Sequence, residues 1–584
     1  GFVSIEPTKN WGTIQSSGLN GMSTYQVRSY EAWGTTPDRC SPWLVSGYRR
    51  RVIACPAQLA WSASSNACVR DGIARITATA IPCAPCDLRS NPISVSTGGK
   101  YQAETDFELP WLTFRRHYQS THSISKARLG PNWTHDLAMR VVSDGAGLVQ
   151  SHGGVLPFRA SGPNHDAVDG SDWRISDAAG GGYVLATPDS TVIFDASQRV
   201  TRIERLDGSS VTLEYGDFDR LVAAVSKGGA RVDFNYQEDV AARAANISSI
   251  SLGGVSLVTY SYDDSGRLVS AHYPDGTSKE YLYERSDFPS LLTGIRDENG
   301  VRFATFAYDA SGYAISSEHA GGVSRGTFSY EADGSTIYTD ADNQVRRYTF
   351  TKDDAYRKIS GSSDGNGTET VTFGTSFRRR PATRTDKNGV KTTYSYLTYD
   401  DPAFGNVVRT TETQTAGAAV LRTTVTWVQT NGGRLMKRSA PGIEVTYTRN
   451  TRGKIVSTQQ LDTLTGLVRT STSTWCEQSD VDAGVCPFEG LILSTNGPRD
   501  DVDDSTRYEY YSSDSSGCQP DGSACTWRKG DLWKVINPHG QVTELLRYDG
   551  AGRVVSSKDS NGVITDLEYD LRGRLIGRAT RATN

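Results

Sequence analysis

The feature that most constrains this chain is a phrase that returns at a fixed interval. Tyr262-Asp263-Asp264-Ser265-Gly266-Arg267-Leu268 is followed 21 residues on by Tyr283, and Tyr548-Asp549-Gly550-Ala551-Gly552-Arg553-Val554 is followed 21 residues on by Tyr569-Asp570-Leu571-Arg572-Gly573-Arg574-Leu575. Such a recurrence marks one small supersecondary unit stacked on itself. The Asp side chain caps the N–H groups of a turn, and the Gly supplies the positive φ that reverses the chain. Asp275-Gly276 and Asn561-Gly562 punctuate the opposite end, and such dipeptides favour the turn types that match strand twist. Between the turns fit strands of about seven residues, each roughly 23 Å long at about 3.3 Å per residue. Tyr281 and Tyr283 alternate with Leu282, so both rings fall on one face and are expected to form ladders with neighbouring hairpins. One hairpin alone is marginal. The expected fold is therefore all-β, an array of stacked hairpins forming a long curved sheet.

Weaker copies extend the array, among them Leu213-Glu214-Tyr215, Phe234-Asn235-Tyr236, Tyr308-Asp309 with Gly312, Asn388-Gly389 and Tyr447 with Gly453. The array text runs from about 143 to 584. Composition agrees: 28 Tyr outnumber 16 Phe, Gly reaches 58, and hydrophobic residues are only 37%. The 62 basic and 66 acidic residues are mixed along the chain and leave no basic stripe for phosphates, which argues against nucleic acid. No run of about 18 apolar residues is present to insert in a membrane.

Nine cysteines fall in three groups, and residues 1–90 hold five of them: Cys40, Cys55, Cys68, Cys83 and Cys86. Cys476 with Cys486, and Cys518 with Cys525, are candidate disulfides that would each close a short loop in an oxidising compartment. Cys83-Ala84-Pro85-Cys86 is a lone CxxC, too little to carry zinc. The stretch from Cys55 to Cys68 resembles the cysteine loops of secreted chitin-binding modules; it is read as a staple, with glycan binding as the alternative.

Asn91-Pro92-Ile93-Ser94-Val95-Ser96-Thr97-Gly98, then Leu112-Thr113-Phe114-Arg115-Arg116-His117-Tyr118, then Leu129-Gly130-Pro131-Asn132-Trp133-Thr134-His135 follow one another in the order seen in the small domain that precedes the repeats of RHS proteins. With the Tyr-Asp phrases, the chain resembles the RHS/YD-repeat family, which includes the C components of bacterial Tc toxins and the teneurins. The resemblance implies a cap or plug over residues 91–142, and a repeat segment over 143–584 forming part of a hollow shell. It further implies a secreted or surface-displayed polymorphic toxin. Its partners would be a C-terminal effector cargo or the remaining shell, a secretion apparatus, or a surface glycan. The family's "DPxGL"-like ending is missing and the text stops inside the array, so the chain is expected to be a truncated piece.

No HExxH and no Gly-rich phosphate loop is present, and no cofactor, metal or catalytic residue is assigned. The best rival constellation is His117 and His135 with Asp106 or Asp136, which packing in a β domain explains more simply. Asp500-Asp501-Val502-Asp503-Asp504, Asp340-Ala341-Asp342-Asn343 and Asp364-Gly365-Asn366-Gly367 lack the calcium loop's terminal Glu and read as turns. The expectation is a non-enzymatic shell segment that sequesters and helps deliver an effector, against the alternative of an adhesin or glycan-binding repeat protein.

Overall fold

The computed structural model describes residues 87–582 apart from 122–126, 143–146, 150–153, 179, 239–244, 353–356, 376–379 and 519–524, and, before residue 87, the backbone of six short strands. The pairing of the five N-terminal cysteines lies outside the described residues. From Arg140–Val142 to Leu575–Ala582 the chain forms one antiparallel sheet of 38 strands in which every strand pairs with its neighbours in sequence. Each connection is thus a hairpin, and the sheet is open at both ends rather than closed into a barrel.

A second, three-stranded antiparallel sheet precedes it, in the order Trp133–His135, Leu112–Gln119, Tyr101–Leu109. Its apolar face packs on the first strands of the long sheet. Phe114 meets Phe234 with ring centroids 5.7 Å apart, and Trp133 meets Tyr281 edge-on at 4.9 Å. Ile93, Phe114, Leu129 and Trp133 are buried in one core with Val211, Val232, Ile250 and Leu268. Each such side chain contributes about 1.5–3 kcal/mol of burial free energy. Among the described residues, none between Gly361 and Gly550 joins that core. There the long strands Lys391–Asp401, Gly405–Ala416 and Ala419–Gln429 carry mostly exposed and half-buried residues, with Val407 and Val408 the buried apolar exceptions.

The sheet winds back on itself, and hairpin ends of the later strands meet hairpin ends of the earlier ones. Lys227 Nζ donates to the Glu489 carbonyl 262 residues away, Lys454 Nζ to that of Arg205 249 residues away, and Arg434 Nη2 to Thr191 Oγ1 243 residues away. The Gly432 N–H adds a backbone bond to the Asp172 carbonyl at 3.0 Å. These contacts join successive turns of the coil without strand pairing.

The turn chemistry differs from expectation at the Asp-Gly and Asn-Gly ends. Gly276 and Gly562 have φ of 82° and 81°, while Asp275 and Asn561 do not have positive φ. A two-residue type I′ turn would need both. Instead the Gly276 N–H bonds the Tyr273 carbonyl at 3.0 Å and the Tyr273 N–H bonds the Thr277 carbonyl at 2.9 Å, a longer loop with one left-handed glycine. Both ends of the hairpin are therefore built alike, with an Asp or Asn three residues before or directly beside the glycine.

Gly208 tests the joint between turns. Its φ is +95°, and a Cβ there would stand 2.2 Å from the Gly490 carbonyl oxygen. Gly208→Ala should cost more than the roughly 1 kcal/mol of an ordinary glycine replacement. In hydrogen exchange it should selectively speed residues 205–210 and 487–491, leaving the 101–135 sheet protected.

Candidate functional site

The repeat's own residues form the first site, a structural one. Asp263 Oδ1 accepts the N–H groups of Ser265 and Arg267, each at 3.0 Å, while its Oδ2 pairs with Arg267 Nε at 2.6 Å. Gly266, at φ 72°, closes the turn onto the Asp263 carbonyl at 2.8 Å. Asp549 repeats the set with Ala551, Gly552 and Arg553, and Asp570 with Arg572, Gly573 and Arg574. Asp309 caps Ser311 and Tyr313 around Gly312, with Tyr313 in the place of the arginine.

The arginine does a second thing that the sequence pattern did not reveal. Held by its Asp, Arg267 lies over the ring of Tyr283 at 5.3 Å, and Arg553 over Tyr569 at 4.7 Å. Arg199, Arg220 and Arg380 lie in the same way over Tyr215, Tyr236 and Tyr396, 16 residues ahead in each case. The tyrosine hydroxyl then donates to the carbonyl of the residue following that arginine: Tyr283 to Leu268 at 3.0 Å, Tyr236 to Leu221 at 3.0 Å, Tyr569 to Val554 at 3.2 Å. Tyr262, Tyr308, Tyr330 and Tyr548 bond carbonyls 15 or 16 residues back in the same manner. The expected tyrosine ladder is thus replaced by a relay in which Arg and a backbone carbonyl hold each ring. The ring sits beside a bulge, for the register shifts at Tyr262, Tyr308, Tyr548 and Tyr569.

The second site joins the small sheet to the array. Asp106 and Arg116 are completely buried, with Arg116 Nε and Nη2 donating to the two carboxylate oxygens at 2.6 and 2.7 Å. Tyr260 donates to Asp106 Oδ2 at 2.5 Å, and Arg116 Nη2 also reaches the Tyr281 hydroxyl at 2.8 Å. The arginine is flanked by the rings of Trp133, Tyr260 and Tyr281, each 5.0 to 5.1 Å away. Burial pulls Arg116 down, but Asp106 and the two hydroxyls outweigh it and hold the guanidinium well above its usual range.

Of the histidine constellation, the structure brings together only His117 and Asp136. His117 Nε2 lies 2.7 Å from Asp136 Oδ1 and its Nδ1 lies 2.7 Å from the Tyr101 hydroxyl. Burial, reinforced by Asp136, pushes Tyr101 up to about 12, which suits a hydrogen-bonded phenol and not a nucleophile. Asp106 is committed to Arg116. His135 packs against Phe114 at 5.1 Å, accepts the Leu137 N–H at 3.2 Å, and is pushed by burial down to about 4.

Cys476 is bonded to Cys486 and Cys518 to Cys525, with Cα atoms 6.3 and 4.2 Å apart. Both bridges fit an oxidising environment. The Asp-rich strings serve turns: Asp501 pairs with Arg499, Asp503 caps Ser505, Asp340 caps Asp342 and Gln344, and Asp364 caps Asn366. Among the described residues, no three His, Cys, Asp or Glu side chains converge on a metal-sized site, and no helix is long and apolar enough to cross a membrane.

Residues 251–278, which hold the Asp263 turn and Arg267, and residues 548–584, which hold the whole Asp549, Arg553 and Tyr569 set, match the RHS repeat family. The chain carries RHS repeats. Residues 90–158 match a domain of unknown function, DUF6531. No curated protein matches this RHS chain in sequence. Among solved structures it is similar to the Tc holotoxin pore of Photorhabdus luminescens, at 13% identity and TM-score 0.38 over 68% of this chain and 21% of the other. The TcdB2-TccC3 complex gives 12% identity and TM-score 0.38 over 68% and 22%, and TcdB2-TccC3-Cdc42 gives 12% and 0.35 over 75% and 27%. The RHS chain spans about a fifth to a quarter of the length of those chains.

Two substitutions test the second site. Asp106→Asn leaves Arg116 buried without a counter-charge and should destabilise the protein by about 3–5 kcal/mol in urea unfolding, while Asp106→Leu with Arg116→Met should recover most of it. His135 has the opposite use, as a pH probe. Its folded pKa, near 4, lies below the unfolded value of about 6.5, so the unfolded chain binds more protons between them. Stability should fall by about 3 kcal/mol as pH drops from 7 to 4, and His135→Phe should lose that share of the slope.

Proposed function

We propose that this chain is a wall segment of the shell of a secreted RHS-type toxin, and that the shell sequesters a polypeptide effector and helps deliver it. The observation that carries this reading is the change in the sheet along its length. In this reading residues 91–142 act as a plug over the earlier strands, and the 143–584 array is the wall. From Gly361 to Gly550 no described residue joins the main core, and the long strands carry mostly exposed and half-buried polar side chains, with Val407, Val408 and Met436 buried locally where hairpin ends meet. Those strands lie outside the main core, so their stability must come largely from edge pairing, the Asp-Arg-Tyr relay and the contacts between turns. A polar inner face would hold an unfolded chain without a strong apolar grip on it, which suits release.

The buried relay residues and the His117-Asp136-Tyr101 cluster support a structural, non-catalytic role. The partners are the remaining shell and its cargo, and delivery proceeds through a secretion apparatus or from the cell surface. The polypeptide purified from its producing cell should enclose or carry a segment that resists added protease until mild denaturant opens the coil. A cargo-free protein that instead adheres to intact cells would favour the adhesin reading.

A further inference from the structure

A cavity of about 510 Å³ lies at the joint between turns of the coil, and its charge is unbalanced. The earlier turn supplies Arg174, at the start of Arg174–Asp177, and the later turn supplies Arg434 and Arg449 from adjoining hairpin ends. No acidic side chain lines it. Arg174 is paired with Asp166 at 2.8 Å. Among the described residues, Arg434 and Arg449 form no ion pair. Arg434 donates one side-chain hydrogen bond, to Thr191 Oγ1 at 3.3 Å, and Arg449 donates to the carbonyls of Gly453 and Leu435 at 2.9 and 3.1 Å. Burial draws both guanidinium groups below their usual range, and Arg434 adds its repulsion to Arg449.

This is an unfavourable arrangement to hold without a counter-ion. It is also a built one. A Cβ on Gly453 would stand 2.1 Å from Arg434 Nη1, so the guanidinium rests in a place that only a glycine leaves open. The rest of the lining is rich in uncommitted amides: the side chains of Asn406, Gln429 and Asn431 form no hydrogen bond among the described residues. Planar guanidinium forks suit carboxylate and phosphate oxygens, and amides that both donate and accept suit hydroxyl groups.

We propose that this cavity binds an anionic saccharide, its carboxylate or phosphate seated against Arg434 and Arg449 and its hydroxyls met by Asn406, Gln429 and Asn431. The site spans both turns, so an occupant also ties the later strands of the wall to the earlier ones. Binding stabilises the folded state in proportion to occupancy.

Isothermal titration calorimetry of the 584-residue chain at low salt, with glucuronate, glucose 6-phosphate, inorganic phosphate and glucose, tests this directly. At least one of the two sugar anions should bind, with glucose and inorganic phosphate each weaker by about tenfold or more, a difference of about 1.4 kcal/mol. The tighter of the two identifies the oxyanion as carboxylate or phosphate. Arg434→Gln should weaken that binding at least about tenfold, and Asn431→Ala should weaken the sugar anion while leaving inorganic phosphate unchanged. If Arg434→Gln does not fold, Arg449→Lys, which keeps the charge and loses the fork, serves in its place. Absence of binding by both sugar anions, equal binding of glucose, or unchanged affinity in the arginine variant overturns the proposal.

Discussion

The fullest hairpin units of this protein hang on one carboxylate. The aspartate of the Tyr-Asp phrase accepts two turn N–H groups with one oxygen and fixes an arginine with the other. That arginine would otherwise be a mobile surface side chain whose ordering costs about 1.5–2 kcal/mol of rotamer entropy. Held in place, it lies over the tyrosine of the next unit, whose hydroxyl returns to the backbone beside the arginine. The unit is therefore closed between hairpins rather than within one, and the sheet of 38 strands can propagate past the end of the main core.

The two halves of the sheet use this device under different conditions. In the first, the three-stranded sheet and its buried Asp106–Arg116 pair add an ordinary apolar core. The ion pair joins Tyr260 and Tyr281 of the array to the small sheet, so the charges fix the register of one body on the other. In the second, contacts between turns replace the core. They go largely to backbone carbonyls at hairpin ends, as with Lys454 to Leu206 at 2.7 Å, and tolerate variation in the side chains around them.

The hairpin array was legible because its signals are local. Turn aspartates and glycines act within four residues of each other, and their spacing repeats. The relay was written at a fixed spacing too, Arg267 with Tyr283 and Arg553 with Tyr569, but an arginine in a turn has many possible uses and alternation of rings suggested a tyrosine ladder instead. The nature of the Asn-Gly turns was misjudged for a related reason: the dipeptide leaves open how many residues the loop spans. Asp106 was grouped with histidines by chemical type, whereas the low dielectric of the core matched it with the nearest buried cation. The return of the coil left no trace in the sequence, since carbonyl oxygens carry no residue identity. The charge imbalance around Arg434 and Arg449 was invisible for the same reason, because it arises only when distant hairpin ends meet.

The sheet winds back on itself and is held by contacts between its turns. Lysine cross-linking with mass spectrometry of the monomeric protein tests it most directly, because Lys227 and Lys529 both lie over the Phe488 ring, at 5.9 and 5.0 Å from its centroid. A wound sheet gives an intramolecular Lys227–Lys529 cross-link, lost together with the winding in denaturant. Cross-links confined to lysines on strands close in sequence, such as Lys534 with Lys558 across one intervening strand, would describe an extended ribbon and contradict it.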